Sequence, residues 1–472
     1  MRDLTKGNIF KTFFSFGLPL VMAGLLTQCY SIVDGAIAGR FLGEVGLAAT
    51  SATGPLLTFI SSLFWGFSVG FSVYTTRLFA AKKYHKLKST FYSFLVVIIL
   101  FGFVVGGGLI AFYKPLANIL KIEQELRQDA FLYFLVMNCG KGIVVLGPLF
   151  VYTLNGMGVS GYTFWMSLLS GVLNVAGNIL SVTVLHMGVT GIALSTVLSS
   201  LIVNVAYFFK IRSCFKKLDH GEQPIRIRLS YIKNSLPFAV PNMFQQGVMY
   251  LVSLLISPLV NGIGITATAS YAVVSHVYNL IAAVYQNSAR SLSMYTAQCV
   301  GSKQYEKIKK GVWVGLLQGV VFATPFIIAC CVFHKQICGL FLKANASAET
   351  KEFSYAFVKY YLPFVYFNVV NNLFHGLFRS VKAMGHLFSM TLFGSLVRYV
   401  FSLLLIPSMG MKGFYLGWVI SWIAEAIASV VLYFVGLWKR NFPKPQPLPQ
   451  ESPQPNETEN EPQEIRSTEK TA

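Results

Sequence analysis

The feature that most constrains this chain is a succession of about twelve apolar stretches, each long enough to cross a lipid bilayer. A bilayer core needs roughly 20 mainly apolar residues per helix. The stretches run at about 9–33, 45–80, 89–113, 128–154, 160–185, 189–211, 231–260, 265–300, 311–334, 353–380, 386–407 and 412–438. Lipid offers no hydrogen-bond partners, so each such segment must pair its own backbone and become a helix. A composition of 54% hydrophobic and 12% charged residues, with a mean hydropathy of +0.59, excludes a soluble domain. The expected fold class is an all-α polytopic membrane protein with twelve transmembrane helices.

A net charge of +20 could signal nucleic acid, but the Lys and Arg residues sit in short clusters between apolar segments. That is the pattern of loops facing anionic lipid, so no nucleic-acid partner is expected. With the N-terminus inside, 22 Lys and Arg fall on the cytoplasmic side, in clusters such as residues 82–88, 210–233 and 303–310, against 8 on the other side. Both termini are therefore expected in the cytoplasm of a multi-pass protein of the plasma (inner) membrane, which requires an even number of helices. The seven Cys show no CxxC or Cys/His metal spacing, and neither a disulfide framework nor a metal centre is expected.

The chain also repeats itself. YTTRLFAAKKYHKLKS at 74–89 matches YTAQCVGSKQYEKIKK at 295–310, pairing Tyr74 with Tyr295 and Lys82 with Lys303. MGVTGIALSTVLS at 187–199 matches MGMKGFYLGWVIS at 409–421, and Pro19 pairs with Pro241. Six helices per copy means that both copies enter the membrane from the same side, so the repeats are parallel and related by an axis along the membrane normal. The expected organisation is a six-helix lobe at 1–210, a cytoplasmic linker at 211–230, a second six-helix lobe at 231–438 and a disordered Pro/Glu/Gln-rich tail at 439–472. Two lobes around a central cavity suit a transporter that rocks between two openings, not an enzyme.

DLTKGNIFKTFFSFGLPLVMAGLLTQCYSIVDGAIAGRFLGEVGLAA, followed by GFSVGFSVYTTRLFAAKKY and LNVAGNILSVTVLHMGVTGIALST, resembles the multidrug and toxic compound extrusion (MATE) family, in its DinF-like branch. The resemblance covers about residues 3–438. It implies a secondary antiporter that exports amphipathic organic compounds in exchange for H⁺ or Na⁺, without a cofactor. The partners it implies are a small amphipathic substrate and membrane lipid, and the chain is expected to act as a monomer. The same superfamily contains lipid-linked sugar flippases. A flippase, or an exporter of anionic or zwitterionic metabolites, is therefore the alternative reading.

Within the first span stands one carboxylate, Asp34. An acid there costs roughly 2.5–3.5 kcal/mol on insertion scales and persists where it meets a polar cavity or partner. An acid whose exposure changes as two lobes rock can load and release a proton. The other readings are that Asp34 caps the end of its helix or pairs with Arg40. Pro19, earlier in the same span, removes a helical hydrogen bond and allows bending. The resemblance assigns Pro19 and Asp34 to a cation-coupling site and brings Asn174 to it. Asn178, four residues on and on the same helix face, stands where many relatives carry a second aspartate. An amide cannot titrate, which moves the balance toward H⁺ coupling over Na⁺ or toward weakened coupling. Thr196 is a fourth candidate, unless it bonds only to its own backbone.

Four further charges lie at membrane depth as possible cavity charges: Lys141, Arg290, Arg398 and Glu425. Each should meet a cavity, a neighbouring helix or a partner, or snorkel to an interface. Lys141 could hold Asp34 or an anionic group. Glu425 could serve a substrate or pair with Arg398, and the pair is preferred. Carboxylates that the other branch of the family places in the seventh and tenth helices have no counterpart here, and His276 and His375 read as hydrogen-bonded core residues.

Overall fold

The computed structural model describes residues 1–120, 122–218, 224–342, 346–436, 438, 439 and 442. Linker residues 219–223 and most of the expected tail thus lie outside the described residues. Residues Met1–Asn441 form one compact unit, and the remainder from Phe442 forms a second.

Among the described residues, twelve helical crossings follow one another in the first unit: α1 (Ile9–Phe41), α2 (Gly54–Ala80), α3 (Tyr84–Ala111), α4 (Gln124–Cys139 and Lys141–Gly156), α5 (Ser160–Val184), α6 (Gly188–Lys216), α7 (Leu236–Asn261), α8 (Ile265–Gly301), α9 (Glu306–Val332), α10 (Ala348–Ala356 continuing to Val365–Ser380), α11 (Met384–Met409) and α12 (Met411–Val435). Ten of these are long and apolar enough to cross a membrane as single helices. The other two differ from the uninterrupted spans expected at 128–154 and 353–380. The halves of α4 meet at an angle of 50° around Gly140. α10 is interrupted by a π turn at Phe357–Tyr361 and a 3-10 turn at Leu362–Phe364, where Pro363 withholds a backbone donor. The expected span 45–80 is likewise two helices, Gly43–Ala52 and α2, separated at Thr53 before the Gly54-Pro55 start of α2.

The break in α4 is accommodated by its neighbours. Gly102 and Gly106 of α3 lie against it, so that a Cβ at Gly102 would meet Gly142 Cα at 2.8 Å. Small residues four apart let two helices approach closely. The carbonyl of Ile143, just past the break, accepts from Asn204 Nδ2 of α6 at 2.8 Å, which meets the demand of a freed backbone group in lipid.

Packing follows the repeat. α1 packs on α5 as α7 packs on α11, α5 on α6 as α11 on α12, and α2 on the second half of α4 as α8 on α10. Leu100 and Val104 of α3, Trp165 of α5 and Leu404 of α11 remain exposed on the periphery, as expected of an apolar girdle facing lipid. The two bundles meet through α1 and α2 against α7 and α8. Their mutual hydrogen bonds gather on the side of the membrane that holds the N-terminus. Leu4 N donates to Gln298 Oε1 (2.7 Å), Gln298 Nε2 to Gly156 O (2.9 Å), Lys307 Nζ to Thr5 O (2.9 Å) and Arg77 Nε to Ser380 O (3.1 Å). On the same side, α2 and α7 touch backbone to backbone at Gly70, next to Phe238 and Ala239.

Candidate functional site

Asp34 lies near the end of α1 remote from these inter-lobe contacts, and α1 packs along α5. Asn174 and Asn178, one turn apart and both buried, face it. Asn178 Nδ2 donates to Asp34 Oδ1 at 2.7 Å. The amide of Asn174 completes the cluster. With its nitrogen toward the acid, it donates to both Asp34 oxygens (2.6 and 3.0 Å) and its oxygen accepts from Thr196 Oγ1 (3.1 Å). Thr196 Oγ1 also lies 3.0 Å from the carbonyl of Ile192 in its own helix. Thr196 thus bonds both to its own backbone and to the cluster. Immediately after Asn178, α5 ends in a π turn at Leu180–Val184, and Ser181 there meets Ser195 of α6 at 3.2 Å. Local π geometry is frequent at functional positions in helices.

Lys141 does not reach Asp34: it is buried at the α4 break and donates to Ser61 Oγ of α2 at 3.1 Å. Arg40 is exposed, and no ion pair joins it to Asp34 among the described residues. Pro19 sits inside α1, where its missing N–H leaves the carbonyl one turn back without its helical partner.

Between the α1 face and α4–α6 lies a cavity of about 250 Å³. Its wall includes Tyr30, one turn before Asp34, together with Asn155, Ser167, Ser200 and Tyr207, and it is closed on the other lobe's side by Asn287 and Arg290 of α8. The Arg290 guanidinium lies over Trp65 (4.6 Å) and Tyr152 (5.3 Å) and donates to Asn287 Oδ1 at 2.8 Å. Among the described residues, no carboxylate lines this cavity. Of the four possible cavity charges, Arg290 is therefore the one that lines it.

The expected pair between Glu425 and Arg398 does not form. Glu425 Oε1 lies 3.0 Å from His375 Nε2, and its Oε2 accepts from Asn371 Nδ2 at 3.3 Å. Arg398 instead stacks on Trp418 at 4.4 Å, with its Nε and Nη2 meeting no acceptor among the described residues. Packing decides the outcome: Gly394 of α11 offers a flat place against which the Glu425 carboxylate lies, and a Cβ there would meet its Cδ and Oε2 at 2.8 Å. Arg379 is also buried, and it donates to Asn242 and to Gln245 Oε1 (3.2 Å) of α7. Sequence reasoning missed this cluster, although Asn371, His375 and Arg379 recur every four residues and so share one face of α10.

The two bundles also emerge from comparison with known proteins. The MatE family model matches residues 19–180 and again 241–404, once in each bundle. The chain belongs to the MatE family. It is 25% identical over 351 residues to the probable multidrug resistance protein YoeA of Bacillus subtilis (strain 168), covering 72% of this chain and 74% of that protein. Its fold is that of a multidrug resistance MATE family transporter solved in an outward-facing conformation, with a TM-score of 0.86, 17% identity, and 93% of this chain and 99% of that one covered. A MOP superfamily transporter from Pyrococcus furiosus, described as having a binding pocket of reversed polarity that suggests a different function, superposes with a TM-score of 0.85 at 18% identity, covering 92% and 97% of the two chains. The chain is thus a multi-span transporter of a multidrug efflux family, with twelve helices in two parallel six-helix repeats.

Proposed function

We propose that this MATE transporter is a proton-coupled antiporter that exports amphipathic organic compounds by rocking two lobes, about 1–210 and 231–438, around a central cavity. Asp34 is the proton carrier. The observation that carries this reading is a lone carboxylate at membrane depth held by two amides, Asn174 and Asn178, that cannot titrate themselves. Loading a proton removes the negative charge to which the Asn174 and Asn178 amides of α5 donate, and so loosens the hold of α5 on α1. Because α1 carries both Asp34 and the weakened turn at Pro19, a change in its grip on α5 can bend the helix that walls the cavity. Asn178 holds the carboxylate without titrating, which favours H⁺ over Na⁺. In this reading the protein works as a monomer in the plasma (inner) membrane, with both termini in the cytoplasm, the orientation that its loop charges favour.

Expression in a bacterium stripped of its own pumps tests the reading. Tolerance to several unrelated amphipathic toxins should rise, and collapse of the proton gradient should abolish the gain. Unchanged tolerance to all of them would count against drug export.

A second reading concerns cargo charge. Among its described residues the cavity has a guanidinium in its wall and no carboxylate, which favours a compound with an anionic or zwitterionic group, a lipid-linked sugar included. Arg290→Gln should then weaken export of an anionic dye at least about tenfold, the scale of a single charged hydrogen bond in a dry site, while sparing a cationic dye. Equal effects on both dyes would remove this reading.

A further inference from the structure

We propose that residues 224–230 of the linker between the lobes form an interfacial ribbon that binds anionic phospholipid headgroups, in the leaflet on the side of the N-terminus. This inference depends neither on the cargo nor on the coupling ion. The described part of the linker is tied to α3. Leu218 at its start and Ile232 near its end are buried in one apolar cluster with Leu87 and Phe91 of α3, and Lys88 Nζ donates to the Leu218 carbonyl at 2.6 Å. Between these points His85 Nε2 lies 2.9 Å from the carbonyl of Pro224, Arg226 N donates to Ser89 Oγ (3.3 Å) and Arg228 N to Ser93 Oγ (3.0 Å). Two linker residues thus advance for every four of α3. That match requires an extended chain, since four helical residues rise about 6 Å and two extended ones about 6.6 Å. Arg228 is accordingly extended, at φ −147° and ψ 141°.

Side chains alternate between the two faces of an extended chain, so Ile225, Ile227 and Leu229 form one row and Arg226 and Arg228 another. The apolar row grows more exposed as the ribbon advances along α3, at 41%, 60% and 73%. Exposure of that kind is unfavourable in water and ordinary against acyl chains. The depth of the ribbon agrees. The α3 face that carries Ser89 and Ser93 continues, turn by turn, as Val96, Leu100 and Val104, all exposed in the apolar girdle. The ribbon covers the last polar positions of this face before the girdle begins, which is the level of the headgroups.

Charge selects the occupant. Arg226 and Arg228 are exposed and form no ion pair among the described residues. No Asp or Glu occurs at 81–93, 210–218 or 224–235, whereas Lys86 and Lys233 add to the positive charge on either side; Asp219 and Glu222 fall among the linker residues outside the described ones. A phosphodiester of net negative charge meets both rows at once, its phosphate oxygens on the guanidiniums and its acyl chains beside Ile227 and Leu229. A zwitterionic lipid would bring its own ammonium against the arginines, and a soluble acidic partner would not account for an apolar row that runs into the girdle. The ribbon leads through the short helix Leu229–Lys233 into α7, whose first turn meets α2 at Gly70. Headgroups held here therefore anchor the covalent link between the lobes at a fixed depth.

A fluorophore on Ile227→Cys, in the full-length chain without its native cysteines, tests the proposal. The protein is placed in nanodiscs of phosphatidylglycerol and phosphatidylcholine in equal amounts, with brominated acyl chains on one lipid or on the other. Quenching by the brominated phosphatidylglycerol should be at least about fivefold the greater, the scale of the attraction of a basic residue to an anionic surface. Adding Arg226→Gln and Arg228→Gln together should bring the two lipids level, and Arg226→Lys with Arg228→Lys should keep most of the excess. If the double glutamine variant does not assemble, each single substitution should lower the ratio part of the way. Equal quenching by both lipids before the arginines are changed would mean an apolar anchor without headgroup preference, and overturns the proposal. So does the absence of quenching by either, which would set the ribbon in water as a docking site for a soluble partner. An excess that survives the loss of both arginines overturns it as well.

Discussion

Replacing Gly70 with alanine should open the transporter on the side that holds its N-terminus. At Gly70, α2 touches the backbone of α7: an added Cβ would lie 2.6 Å from Ala239 Cα and 2.7 Å from Phe238 C, and nearer still to the Phe238 carbonyl oxygen. Ordinary carbon contacts lie at about 3.5–4.0 Å, so the helices must part by about 1 Å. Neither partner is a flexible side-chain end. Gly66, one turn along, also lies close to Asn242, where an added Cβ would come within 2.6 Å of its carbonyl oxygen, so α2 has no simple tilt that relieves the clash. Overpacking of this kind costs about 1–3 kcal/mol. The cost applies in the conformation where α2 and α7 touch, which shifts the equilibrium away from it by roughly 5- to 150-fold. Spin labels at the exposed positions Lys83 and Lys309, in a background without the native cysteines, report the separation of the lobes on this side. The distance distribution of Gly70→Ala should move to longer values in the absence of cargo. A distribution identical to that of the wild type, in a protein that still folds, would refute the idea that this helix contact is made and broken during rocking.

Two further outcomes follow from the structure. Asn178→Asp puts a second carboxyl where the Asn178 amide now sits 2.7 Å from Asp34 Oδ1, and the two can share a cation, so export should become more sensitive to Na⁺ than in wild type; proteoliposomes with separate Na⁺ and H⁺ gradients provide the check. Lys303 holds a left-handed backbone (φ 62°) in the turn between α8 and α9, so Lys303→Gly should raise stability by about 1 kcal/mol, read as a higher melting temperature.

Much of this architecture is legible in the sequence, for identifiable reasons. The repeat shows because Pro19 and Pro241, or Gly188 and Gly410, serve the same backbone geometry twice; Gly188 and Gly410 both adopt positive φ at the starts of α6 and α12. The Asp34 cluster shows because a lone acid in an apolar helix needs partners, and Asn174 and Asn178 are spaced to share one face. The breaks in α4 and α10 do not show, since hydropathy reports composition and not where backbone hydrogen bonds fail, although Pro363 marks the second. The partner of Glu425 is not legible either, because charge counting pairs it with Arg398 on the adjacent helix. Rotation of α12 about its axis is set instead by what packs, here Gly394 beneath the carboxylate and Trp418 beneath the guanidinium. That rotation turns Glu425 toward His375 of α10.

Gradient-driven export by Asp34→Asn tests the central claim most directly. Asparagine keeps the shape of the side chain and can still bond to Asn174 and Asn178, so the protein should insert and assemble normally, and facilitated exchange of cargo down its own gradient should persist. Uphill export in proteoliposomes under an imposed proton gradient should fall to background. Export at the wild-type rate in Asp34→Asn, under the same gradient, would contradict the assignment of this acid as the proton carrier.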